Sequence, residues 1–315
     1  MTSNKDVIEC SPETLLATVR SLQDEEATYV VIGGGKTGCD AVSFLAKNVK
    51  DSEKITLIQG TSLYFLSRGA LVPAMTKSPI CATELLGRFA LGYDGTNHIE
   101  VMQQLEKEKL LVRVGDDQPK YTMHGILSQE EADTMMERAE IISNDHFVGC
   151  ETSGTTKTIK FRSGKTLEID APKVVLVKCL SSIKNSVFNI QEHPLQADGS
   201  LKIGSQFGFT GPTGYLTTLM YARGTLDKMK FRGYNLPGKN DHNFSFMFPL
   251  AALANTLAAL KVLPIKDFIS CTILLDKMAP KRRQAIAMFK LLRDRKKINA
   301  QADKFLEPLE PPKVE

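Results

Sequence analysis

Residues 29–47 constrain this chain more than any other stretch. A β-branched apolar run, Tyr29-Val30-Val31-Ile32, meets Gly33-Gly34-Gly35-Lys36-Thr37-Gly38, and a segment with Ala41, Phe44 and Leu45 at helical spacing follows from Cys39 to Lys47. The order strand, glycine turn, helix is the form of a dinucleotide-binding unit. Gly33 permits the tight turn, Gly35 lets the backbone approach a pyrophosphate with no Cβ in the way, and Gly38 lets helix and strand lie close. The pyrophosphate would sit on the helix N-terminus, where N–H groups and the helix dipole favour an anion. Without a ligand the same glycines would be a structural turn only. Gly35-Lys36-Thr37 also resembles the end of a phosphate-binding P-loop, but the first glycine of that loop would fall at Val30, inside the strand, which argues against it.

A second test lies about 20 residues further on, where a unit that binds NAD usually ends its second strand in Asp or Glu for the ribose hydroxyls. Here the strand Lys54-Ile55-Thr56-Leu57-Ile58 ends at Gln59-Gly60. No carboxylate of this strand would repel a 2′-phosphate, and Thr61, Ser62 and Arg68 are available as donors. The expectation is therefore NADP, with NAD as the alternative. Arg68 also reads as an ordinary solvated arginine.

The chain has 315 residues, room for two domains or one large one, and its 42% hydrophobic and 24% charged content is ordinary for a globular protein. A net charge of +4, spread along the chain except near its end, leaves no general nucleic-acid footprint. Met1-Thr2-Ser3-Asn4-Lys5-Asp6 lacks the basic and apolar regions of a signal peptide, so a cytoplasmic location is expected. The six cysteines (Cys10, Cys39, Cys81, Cys150, Cys179, Cys271) form no Cys-x-x-Cys pair, and the histidines (His98, His124, His146, His193, His242) form no metal-ligand or catalytic-triad pattern. Free, mostly buried thiols and no metal site are expected, and no catalytic residue is identified. Asp40 looks like a capping residue. Residues 244–263 approach the length of a membrane span, but Ser245, Pro249, Asn255, Thr256 and Lys261 favour a buried helix, hence no transmembrane segment.

Along the chain, Ser11-Pro12-Glu13-Thr14 opens an amphipathic helix, and residues 63–89 read as loop and helix. A helix over 102–109 leads into a strand at 110–114, and Ser128-Gln129-Glu130-Glu131 is a capping box starting a helix to about Glu140. A strand is expected at 147–151, a hairpin at 158–169 and, at 173–180, a continuous apolar run suited to a parallel strand buried on both faces. Residues 208–215, rich in Gly and Pro, precede a helix; a second anion site there, with Tyr215 and Arg223 near a ligand, is the sharper reading and a shaped loop the plainer one. Residues 281–304 carry nine Lys or Arg with Ile286, Phe289, Leu292 and Ile298 on one stripe, the pattern of a surface helix packed by that stripe, with a membrane surface or acidic partner as the alternative.

Together these elements, above all residues 30–41 with the strands at 158–180, resemble the flavoprotein oxidoreductases with two dinucleotide-binding domains, akin to the flavin-containing monooxygenases. The resemblance implies an α/β fold with a Rossmann-like NAD(P)-binding unit. It places Gly33, Gly34, Gly35, Lys36, Thr37 and Gly38 at the pyrophosphate of NADP and Gln59, Gly60, Thr61 and Ser62 near the ribose. It also implies FAD as a second cofactor, hydride transfer from NADPH to that flavin, and an unknown small-molecule substrate. The expected division is an N-terminal helix (1–27), the NAD(P)-binding unit (28–120), a mixed α/β region like the returning part of a FAD domain (121–225) and a helical C-terminal region (226–315). The family's first glycine motif, for FAD, has no counterpart in the 28 residues before Tyr29. Three readings stay open: an oxidoreductase whose flavin site is completed by a partner chain or homo-oligomer, by a differently built pocket or by sequence outside this chain; a catalytically silent nucleotide-binding or scaffold protein; or a smaller flavoprotein in which Gly33 to Gly38 hold FAD.

Overall fold

The computed structural model describes residues 6–71, 80–180, 190–208, 210–236, 242–264, 266–267, 276 and 279–312. Cys271 and Phe209 lie outside them. The chain divides into two compact units, Met1–Ser67 with Leu111–Ser182, and Arg68–Leu110 with Ile183–Glu315.

The first unit is built on a five-stranded parallel sheet of β1 (Val7–Cys10), β2 (Ala27–Ile32), β3 (Ile55–Ile58), β7 (Glu140–Ile142) and β11 (Lys173–Lys178), in the order β1-β11-β2-β3-β7. β2 and β11 are buried on both faces, which is why they read as unbroken apolar runs. Their side chains alternate: Tyr29, Val31, Val175 and Val177 enter one core with α1 (Leu15–Ser21), α2 (Lys36–Asn48) and α6 (Gln129–Arg138), whereas Val30, Ile32, Val174 and Leu176 enter another. The second core is closed by Ile159, Phe161 and Ile169 of an antiparallel sheet of β8 (Phe147–Ser153), β9 (Thr156–Phe161) and β10 (Thr166–Asp170). A further small sheet joins β4 (Tyr64–Ser67), β5 (Leu111–Arg113) and β6 (Thr122–Leu127). The capping box forms in full: Ser128 Oγ accepts from Glu131 N–H at 3.0 Å and Glu131 accepts from Ser128 N–H at 2.6 Å.

Several expectations are corrected here. The N-terminal segment is a strand and a helix: β1 pairs with β11, Val7 opposite Val174. Residues 173–178 lie between β1 and β2, so a segment past 120 belongs to the same sheet as β2 and β3; hydrogen bonding across distant sequence sets this, where the expected division ran in consecutive blocks. Residues 64–67 are a strand, and the basic helix breaks at Asp294 into two.

The second unit holds α3 (Arg68–Leu71), α4 (Ala82–Gly92), α5 (His98–Lys107), α7 (Thr210–Ala222), α8 (Phe244–Val262), α9 (Lys281–Arg293), α10 (Arg295–Phe305) and a ribbon of β12 (Phe231–Gly233) and β13 (Glu307–Leu309). By length and composition α8 is apolar enough to cross a membrane, yet 15 of its 19 residues are buried within the unit. Its Asn255, wholly buried, accepts from Arg232 N–H at 2.7 Å and donates to the carbonyls of Gln206 and Arg232 at 2.8 and 3.0 Å. On α9 and α10 the inward residues are Ala287, Leu291, Ile298 and Ala302; Phe289 and Leu292 face outward, correcting the stripe expected from spacing.

Candidate functional site

The strand order reverses between β2 and β11, since the chain builds outward from β2 through β3 to β7 and then crosses to β11. In open parallel sheets ligands bind outside the carboxyl ends of the strands at such a switch point. Gly33 to Gly38 stand there. Gly33 N–H donates to Ile58 O and Cys179 N–H to Ile32 O, both at 2.9 Å, so the turn begins where the sheet hydrogen bonding ends.

Each glycine of the turn has its own reason. Gly33 has φ +119°, and a Cβ on it would lie 2.6 Å from the Cys179 carbonyl oxygen. At Gly34 a Cβ would lie 2.7 Å from Cβ of Gln59, and at Gly38 1.7 Å from the Gly33 carbonyl oxygen. Gly35 differs. Its φ of −74° and ψ of −179° suit any residue, and a Cβ there would meet nothing within 4 Å. Gly35 caps α2, and no side chain caps the helix at that point. Lys36 and Thr37 open the helix, Lys36 forming an ion pair with Asp40 one turn on. Gly125 of β6 lies beside Lys36, a neighbour the sequence did not suggest; a Cβ on it would be 3.5 Å from that of Lys36.

The residues after β3 are already engaged. Gln59, 6% exposed, donates through Nε2 to Val114 O and accepts from Ser143 Oγ, both at 3.0 Å, so its amide ties three segments together. Gly60 has φ +65°, and a Cβ on it would lie 2.9 Å from His146 Nδ1. Thr61 bonds the Tyr121 hydroxyl. Ser62 is buried, with no partner for its hydroxyl among the described residues. Its N–H points to Asn144 Oδ1 at 3.4 Å, and Asn144 in turn donates to the Asp117 carboxylate at 2.9 Å. Asp117, some 60 residues from β3 in sequence, is thus linked through Asn144 to the loop that follows the strand. Arg68 begins α3 in the other unit.

No reactive thiolate flanks the turn: burial pushes the Cys39 thiol up to about 12 and the Cys179 thiol to about 11. Among the described residues no three His, Cys, Asp or Glu side chains gather as metal ligands. At the second glycine-rich segment α7 starts at Thr210; Thr213 Oγ1 accepts from Phe207 N–H at 3.1 Å, Arg223 pairs with Asp267 at 2.8 Å, and Tyr215 is exposed. Those contacts shape a loop and a helix.

No family model and no curated protein matches the chain. Solved structures that resemble it include DfoA, a cadaverine monooxygenase of Erwinia amylovora bound to FAD, at 11% identity over 83% of this chain and 57% of that one, TM-score 0.35. L-lysine 6-monooxygenase of Pseudomonas syringae matches at 11% identity over 89% of this chain and 60% of that one, TM-score 0.33. The ornithine N-hydroxylase KtzI of Kutzneria sp. 744 matches at 13% over 80% and 57%, TM-score 0.32. The chain spans about 60% or less of the length of these chains. Its own strand order and glycine turn make this chain a mixed α/β protein with a parallel sheet of Rossmann-like form.

Proposed function

We propose that the chain binds a nicotinamide dinucleotide at the switch point, its pyrophosphate on Gly35, Lys36, Thr37 and Gly38. Gly35 carries this reading: its backbone conformation suits any residue and no atom among the described residues crowds it, so what glycine adds beyond its ordinary fitness as an N-cap is room for a phosphate against the main chain. The residues fit the group, with an open surface over Gly35, a helix N-terminus capped by no side chain, and a lysine in its first turn. When bound, a nicotinamide supplies a hydride; the chain's share is to grip the pyrophosphate and exclude Cβ atoms from its path. Hydride transfer to a flavin, as in an NADPH-dependent flavoprotein oxidoreductase, rests on the family resemblance, as does FAD itself.

Two alternatives stand beside this reading. Asn144 joins the Asp117 carboxylate to the loop after β3, and a ribose that reached that loop would be recognised through its hydroxyls, as in NAD. The other is a nucleotide-binding protein without catalysis of its own, since the turn, with Lys36 paired to Asp40, holds a nucleotide and does no chemistry itself.

The test is titration of the purified protein with NADPH and NADH, beside its visible absorbance spectrum. Binding of either nucleotide that weakens about tenfold or more in Gly35→Val, with the melting temperature unchanged, is expected. Binding of neither nucleotide removes the proposal. A bound flavin bleached by NADPH selects the oxidoreductase reading, and a colourless protein that binds nucleotide selects the silent one.

A further inference from the structure

We infer that the outward face of α9 and the start of α10 dock the second unit on an anionic lipid surface. This stands apart from the dinucleotide reading. The face presents Lys281, Arg282, Phe289, Leu292, Arg293 and Lys296, all exposed, with Phe289 67% and Leu292 36% accessible. On α9, positions 282, 289 and 293 recur at helical spacing, opposite the buried Ala287 and Leu291, and Lys296 stands exposed at the start of α10. α9 contains no Asp or Glu, and Asp294 just beyond it is held by Arg293 at 2.8 and 3.0 Å.

Folding alone gives no reason for this arrangement. Three cations occupy the first turn of α9, the end where the helix dipole disfavours positive charge. Arg283 pairs with Glu84 at 3.2 Å, whereas Lys281 and Arg282 make no ion pair among the described residues. A large aromatic side chain stands in water among these charges. An anionic bilayer satisfies both features together: headgroup phosphates meet the guanidinium and ammonium groups, while Phe289 and Leu292 enter the boundary with the acyl chains. An acidic polypeptide would satisfy the charges but would have to bring its own pocket for Phe289.

The experiment is co-sedimentation of the full chain with phosphatidylcholine vesicles with and without phosphatidylserine, at low and high salt. Binding that requires phosphatidylserine, falls at high salt, and drops about tenfold in Phe289→Ser is expected. A paired K281E and R282E variant should lose the vesicles while melting no lower than the parent, because acids in the first turn suit the dipole. Equal binding to neutral vesicles, no binding at all, or undiminished binding by both variants overturns the inference. Capture by polyglutamate with none by phosphatidylserine vesicles overturns it in favour of an acidic peptide.

Discussion

At the scale of single residues the glycine turn separates folding from binding. Gly38→Ala forces a Cβ against the Gly33 carbonyl oxygen and should cost about 3 kcal/mol, read as a lower denaturant midpoint, because backbone cannot step aside as a side chain can. Gly35→Ala meets nothing and should leave stability within about 0.5 kcal/mol while weakening nucleotide binding. Another residue gives a pH dependence. His124 of β6 is buried, its φ is +56°, and desolvation lowers its pKa from 6.5 to about 3. The unfolded chain therefore takes up a proton between about pH 6.5 and 3 that the folded chain refuses, so stability is full above this window and falls as pH drops, by roughly 2 kcal/mol at pH 5. His124→Asn, which tolerates that φ and does not titrate there, should flatten the dependence in urea melts at pH 7 and pH 5. The tight turn at Gly33 and the close approach at Gly38 were legible because motif spacing encodes them. The engagement of Gln59 was not, since its partners Val114 and Ser143 lie more than 50 residues away.

At the scale of elements, what the sequence disclosed follows from how local each signal is. The hairpin of β9 and β10, the apolar run of β11 and the capping box at Ser128 each declare themselves within a few residues. Ser128→Ala should remove the acceptor for Glu131 N–H and cost about 1 kcal/mol, with melting temperature as the measurement. β1 and β4 were hidden because their pairing is distant: β1 is a strand by virtue of β11, some 165 residues later, and β4 by virtue of β5 and β6, more than 40 residues on. α9 misled for a different reason. It has apolar residues on two sides, and periodicity cannot say which side faces a core; Ala287 and Leu291 face inward, while the bulkier Phe289 and Leu292 do not.

At the scale of the whole chain, the first unit is assembled from segments that are not consecutive, and its edge depends on residues far ahead of the site. Removing residues 1–10 would strip β1 from β11 and expose the backbone of an apolar strand, so the shortened chain should melt lower and aggregate at concentrations where the parent stays monodisperse, as light scattering would report. In the second unit, α8 is apolar nearly all round, so hydrophobic burial alone barely prefers one rotation of that helix over another. Asn255 breaks the degeneracy, because turning the helix would strand its amide among apolar groups and unpair the N–H of Arg232. Asn255→Leu therefore produces a protein whose fault is plurality: a unit that still collapses, with broadened methyl resonances recording a helix that has lost its one address.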